Sequence, residues 1–139
     1  MEKVIVNYQM KEDGNSQTYK VVGKMNVYND YSELEYTEPD TKMKAVYKIY
    51  KDKLELTRTG SLYMETVFIK GMATNCKVVT EFNYEMNLNL NTFYYNIEKD
   101  NDYNINVYVK YNLDIDIDST HELTLEIKNK KYSIIINDV

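Results

Sequence analysis

Apolar residues recur at every second position along most of the chain, which is the period of a β-strand with one buried face. Val4, Val6, Tyr8 and Met10 share a face, and Asp13-Gly14-Asn15 then reads as a hairpin turn. A second run aligns Tyr19, Val21, Met25 and Val27, with Gly23 among them marking a bend or a close approach of another backbone. Asn29-Asp30 turns the chain, Leu34 and Tyr36 mark a short third strand, and Pro39-Asp40 ends it. A fourth strand carries Met43, Ala45, Tyr47 and Ile49 inward and Lys42, Lys44 and Lys48 outward. After Lys51-Asp52-Lys53 comes a fifth, with Leu54, Leu56 and Arg58 on one face, broken by Gly60.

The pattern continues to the end of the chain. The sixth strand, to Gly71, aligns Leu62, Met64, Thr66 and Phe68; the seventh, to Phe82, aligns Cys76, Val78 and Thr80. The eighth aligns Met86, Leu88 and Leu90 and extends towards Ile97. Beyond a turn at Lys99-Asp100-Asn101-Asp102, a long ninth strand places Ile105, Val107, Val109, Tyr111, Leu113, Ile115 and Ile117 inward. The tenth carries Leu123, Leu125 and Ile127, and Tyr132 to Ile136 reads as one more short strand. No segment repeats apolar residues at helical spacing for three turns. The expectation is a single all-β domain over 1–139, an up-and-down antiparallel meander closed into a barrel, because closure removes exposed strand edges.

Composition narrows the function classes. The chain is 43% hydrophobic and 28% charged, with only four Gly and one Pro, so it is globular rather than disordered. Fifteen tyrosines suit half-buried pleated faces. Net charge is −5 and the lysines are scattered, so no basic stripe offers a nucleic-acid surface. Cys76 is the lone cysteine, which favours a reducing compartment, and no apolar run is long enough to span a membrane as a helix. With no signal-peptide pattern at the N-terminus, the expected location is cytoplasmic.

The run LELTRTGSLYMETVFIKG, residues 54–71, resembles the YwiB-like family of bacterial barrel proteins, which show an R-x-G, a Met and a Phe four residues apart, and a Gly. Here these are Arg58 and Gly60, Met64 and Phe68, and Gly71, with Phe82 at a further aromatic position of the family. The chain departs from that pattern at Val78, Glu81 and Asn83, where the family has Tyr, Pro and Gly. The resemblance implies a lipocalin-like (calycin) barrel of about eight to ten strands. It implies no activity, since the family has none assigned, and fold does not fix function.

Arg58 is the most informative single residue, because alternation points its guanidinium into the barrel and a buried charge has to be paired. One reading is an anion clamp in which Arg58 and the lumenal tyrosines Tyr8, Tyr19, Tyr47 and Tyr111 grip a carboxylate. The other is a plug that bonds backbone carbonyls at the closed end, and the position beside Gly60 favours it. Met10, Met25, Met43, Met64 and Met86 could fill the interior, whereas Gly23, Ala45 and Cys76 could leave it open. The leading expectation is therefore a non-catalytic barrel holding a small apolar or carboxylate-bearing ligand. The alternatives are a packed barrel acting through its outer surface and a calycin-type enzyme using lumenal Arg and Tyr. Alternation assigns no Glu to the inner face for such an enzyme.

The remaining candidates read as structural. Asp114, Asp116 and Asp118 begin like a calcium loop, but Ser119 and Leu125 stand where the loop needs Gly and Glu, so a solvated strand face is expected. His121, beside Ser119 and Thr120 in an expected turn, reads as a surface histidine, and Cys76 as a small core residue. No cofactor or metal is assigned. Val46, Tyr50, Val67 and Ile69 fall on the outer face, and such a patch suggests a homodimer or a covering C-terminal strand.

Overall fold

In the computed structural model, which describes residues 2–100 and 104–129, the alternating segments form ten strands. They are β1 (Glu2–Glu12), β2 (Asn15–Val27), β3 (Tyr31–Thr37), β4 (Lys44–Tyr50), β5 (Lys53–Thr59), β6 (Tyr63–Ile69), β7 (Ala73–Val79), β8 (Glu85–Lys99), β9 (Ile105–Leu113) and β10 (Asp116–Asn129). Each pairs antiparallel with its chain neighbours, and β1 pairs with β10, so the meander closes into a lipocalin-like barrel. Among the described residues there is no helix long and apolar enough to cross a membrane.

Turn chemistry sets the first hairpin. Asp13 and Gly14 both take positive φ, at 44° and 84°, giving a two-residue turn whose twist matches the flanking strands. Gly23 has the close approach its place in a strand suggested. A Cβ there would lie 2.9 Å from the Glu35 carbonyl oxygen, so only glycine lets β2 come against β3 at that point.

The connections β1–β2, β3–β4, β5–β6, β7–β8 and β9–β10 gather at one end of the barrel, here called the mouth, and the other connections at the base. The base half is filled by Val4, Ile49, Leu54, Val107, Leu125 and Ile127, all buried. Each such side chain contributes about 1.5–3 kcal/mol through loss of apolar surface from water. Met25, Leu34, Ala45 and Leu123 extend the same core towards the middle.

Several expectations are corrected. Ile115 and Ile117 do not face inward: the chain turns at Asp114 and Ile115, Leu113 pairs with Asp116, and the two isoleucines are 73% and 64% exposed. Val27 and Met86 keep the inward phase but stand at strand ends, where they are exposed. In β8 an irregularity between Thr92 and Tyr94 shifts the phase by one, so Tyr95 and Ile97 face inward while Phe93 and Tyr94 both face out. β7 ends at Val79, and Thr80 closes the next turn by accepting hydrogen bonds from Asn83 and Tyr84. His121 is neither in a turn nor on the surface: it lies in β10, in the inward phase of Leu123, and is buried. Val46, Tyr50, Val67 and Ile69 do point outward but are half-buried by cross-strand neighbours, Tyr50 by Tyr31 at 5.0 Å and by Lys53. The strand expected at Tyr132 to Ile136 lies outside the described residues.

Candidate functional site: the mouth half of the lumen

Towards the mouth the inward side chains stop filling the barrel. A cavity of about 300 Å3 lies there, so the interior is not packed solid. Its floor and walls are apolar, with Leu56, Phe68, Leu90 and Leu123 beside Met10 and Met64. Gln17, Asp40 and Thr41 also line it and are exposed, so it reaches the surface between β2 and the β3–β4 connection. All five residues expected to face a ligand line this cavity: Arg58, Tyr8, Tyr19, Tyr47 and Tyr111. Of the family motif, Arg58, Met64 and Phe68 reach it; Gly60 and Gly71 lie in turns, and Phe82 is exposed in the β7–β8 connection.

Among the described residues Arg58 bonds no backbone carbonyl, which the plug reading required. Its Nε donates to Glu38 Oε2 and its Nη2 to Glu38 Oε1, both at 2.7 Å, a two-pronged charge-assisted pair. Thr41 Oγ1 donates to the same Oε1 at 2.5 Å and accepts from the Met43 N–H. The remaining contact of the guanidinium is Nη1 to Met64 Sδ at 3.8 Å. Strand register makes the meeting possible. Tyr36, Ala45, Arg58 and Met64 form one cross-strand row over β3 to β6, so the small Ala45 stands between Arg58 and β3. Glu38 continues the inward phase of Ser32, Leu34 and Tyr36 just past the end of β3.

Burial alone would raise the Glu38 carboxyl, but hydrogen bonds from Arg58 and Thr41, with the Arg58 charge, outweigh it and hold the group below its ordinary range. The hydrogen bonds to Glu38 in turn raise Arg58. Glu38 is the inward carboxylate that sequence reasoning missed. Its signal is the period-two phase of β3, which reaches Glu38 immediately before the strand-ending Pro39-Asp40. With both oxygens engaged and the group held ionised, it is a paired anion rather than a free proton donor or acceptor.

The tyrosines form a second polar feature. Tyr8 and Tyr19 stack with ring centroids 4.3 Å apart. The Tyr19 and Tyr36 hydroxyls lie 2.7 Å apart, and those of Tyr36 and Tyr47 2.9 Å. Three hydroxyls in a chain consume two protons in their own bonds, which leaves one O–H over; when Tyr36 donates to one neighbour and accepts from the other, that O–H is on Tyr19 or Tyr47, both on the cavity wall. Burial pushes the hydroxyls of Tyr19, Tyr36, Tyr47 and Tyr111 above the ordinary phenol range, which keeps them neutral donors.

Opposite them, Tyr111 packs edge-on to Phe68 and stacks on His121 with centroids 5.0 Å apart. His121 Nδ1 lies 3.6 Å from Glu12 Oε2, and its Nε2 is buried without a partner among the described residues. Glu12, Asp116 and His121 offer ligand atoms within 4.8 Å of one another, a set able in principle to hold a metal. A metal on Nδ1 would leave the ring proton on buried Nε2 with no acceptor, whereas metal-bound histidines ordinarily donate that proton to a partner. Glu12 and His121 are better read as a rim contact. Cys76 also lines the cavity, its Sγ 3.3 Å from Thr66 Oγ1.

A family model described as Domain of unknown function (DUF1934) matches residues 4–127. Among solved structures, the chain is similar to the crystal structure of the ywiB protein from Bacillus subtilis. The two are 21% identical, the match covers 91% of this chain and 89% of that one, and the TM-score is 0.73. That likeness carries the fold. No curated protein matches the chain.

Proposed function

The chain belongs to the DUF1934 family, a domain of unknown function, and from the geometry of its lumen we propose that the barrel binds one small, mostly apolar molecule in its mouth half. The observation that carries this reading is the cavity of about 300 Å3, apolar at its floor and polar near its exposed edge. A void of that size lies at the lower end of small-molecule sites. It has room for about ten waters or one compact two-ring molecule. Stacked Tyr8 and Tyr19 provide a flat wall, and methionines at Met10 and Met64 adapt to a ligand's outline.

A calycin-type enzyme is the second reading, because Glu38, Arg58 and tyrosines converge on one cavity. The fork between Glu38 and Arg58 weighs against it, since each charged group is already consumed by the other. Binding is the reading the geometry favours.

Native mass spectrometry of the protein purified from its own cells, with calorimetric titration of compact apolar compounds, tests the proposal. Leu88→Trp would fill the cavity from its wall. One-to-one binding that this variant abolishes is the expected outcome. Binding that persists unchanged in Leu88→Trp would place the ligand elsewhere and end the lumen reading.

A further inference from the structure

Resting on that reading, we infer that Glu38 occupies the anion site of the lumen as a built-in carboxylate, so the barrel selects an uncharged ligand and rejects a carboxylate. Among the described residues Arg58 is the lone cationic side chain on the cavity wall; the other charged lining residues are Glu38 and Asp40. Its Nε and Nη2 form one of the two edges by which a guanidinium grips a carboxylate, and Glu38 already holds both at 2.7 Å and neutralises the charge.

Glu38 is not a loose side chain that a ligand displaces at no cost. Its side chain is 8% exposed, Thr41 braces one oxygen, and its backbone is fixed at both ends of the connection. The Glu38 N–H donates to the Met43 carbonyl at 2.8 Å, and the Lys42 N–H donates to the Glu38 carbonyl at 3.1 Å. An incoming carboxylate has two courses. It takes the remaining Nη1 edge and shares one cation with Glu38, beside Asp40, or it evicts Glu38 and leaves that group buried without its cation. Both courses leave two carboxylates to one cation in a partly enclosed cavity, which is costly for the one left without it.

What the lumen leaves available is neutral hydrogen bonding. The Tyr19–Tyr36–Tyr47 chain has one O–H to spare, and among the described residues Arg58 Nη1 has only the Met64 sulfur, a weak acceptor at 3.8 Å. These donors suit a carbonyl or hydroxyl oxygen on an otherwise apolar, flat molecule.

Calorimetric titration of the full chain with naphthol and with naphthoate at neutral pH separates the possibilities, because the probes share a ring system and differ in charge. Wild type is expected to bind naphthol more tightly than naphthoate by about tenfold or more. Glu38→Gln keeps the side chain's shape and removes its charge, so naphthoate should gain about tenfold there while naphthol changes little. Adding Arg58→Met to Glu38→Gln should abolish that gain. If Glu38→Gln melts below the working temperature, the uncharged Glu38→Met serves in its place and should admit naphthoate by the same margin. Equal binding of the two probes by wild type, with a ratio unmoved by either substitution, would overturn the inference and leave the lumen reading standing. Failure of naphthol and naphthoate to bind any of these proteins would bring down both.

Discussion

Glu38 and Arg58 stand 20 residues apart in the chain and meet in a two-pronged fork across the end of β4, with both N···O distances 2.7 Å. Arg58→Met removes the cation and leaves most of the aliphatic volume, so the cost is that of a mostly buried carboxylate without its partner. The Arg58 side chain is 25% exposed, and solvent at the mouth moderates the loss to about 1–3 kcal/mol. Thermal unfolding should show a drop of several degrees. The double variant Glu38→Leu/Arg58→Met leaves no stranded charge and should recover most of the loss. A double variant no more stable than Arg58→Met alone would show that the pair's charge is not what matters.

Acid should weaken the fold through Glu38. Its folded-state carboxyl titrates below the ordinary value of 4.5, so the unfolded chain takes up the proton first. Stability contributed by the pair is therefore complete above 4.5 and is lost as pH falls through the lower, folded value. Denaturant melts across this window should slope less steeply for Glu38→Gln than for wild type, and parallel slopes would contradict the assignment.

Alkali acts through the tyrosine chain with the opposite sign. Burial raises the hydroxyls of Tyr19, Tyr36 and Tyr47 above the ordinary value of 10.0, so above that pH the unfolded chain releases protons that the folded barrel retains. Their contribution to stability is fully present below 10.0 and falls as pH rises through the folded values. A titration followed by phenolate absorbance should resolve a set of tyrosines, Tyr19, Tyr36 and Tyr47 among them, that ionises only as the barrel unfolds. A single transition near 10.0, with the fold intact, would be inconsistent with the buried hydrogen-bonded chain.

Gly23→Ala tests the close approach of β2 to β3. The new methyl would sit 2.9 Å from a backbone oxygen, which cannot swing aside as a side chain would. Destabilisation of about 1–3 kcal/mol is expected in denaturant melts. Unchanged stability would mean that the two strands can part without loss.

Alternation alone determined most of the barrel: the inward set Val4, Val6, Tyr8 and Met10 on β1, Ala45, Tyr47 and Ile49 on β4, and Leu123, Leu125 and Ile127 on β10 was legible because successive strand side chains point to opposite faces. The inward direction of Arg58 followed from the same rule, as did the tyrosines that share its cavity. Only the tertiary structure decided what those side chains meet. The partnership of Arg58 with Glu38 depends on the register of β3 and β5 across β4, and period two specifies a face without specifying a neighbour. The extra residue between Thr92 and Tyr94 shifted the phase of β8, and pairing of Leu113 with Asp116 turned Ile115 and Ile117 outward. A further register shift within β10, between Asp116 and His121, brings His121 inward opposite Tyr111. In each case a local run of residues was compatible with two arrangements, and hydrogen bonding to a neighbouring strand selected one of them.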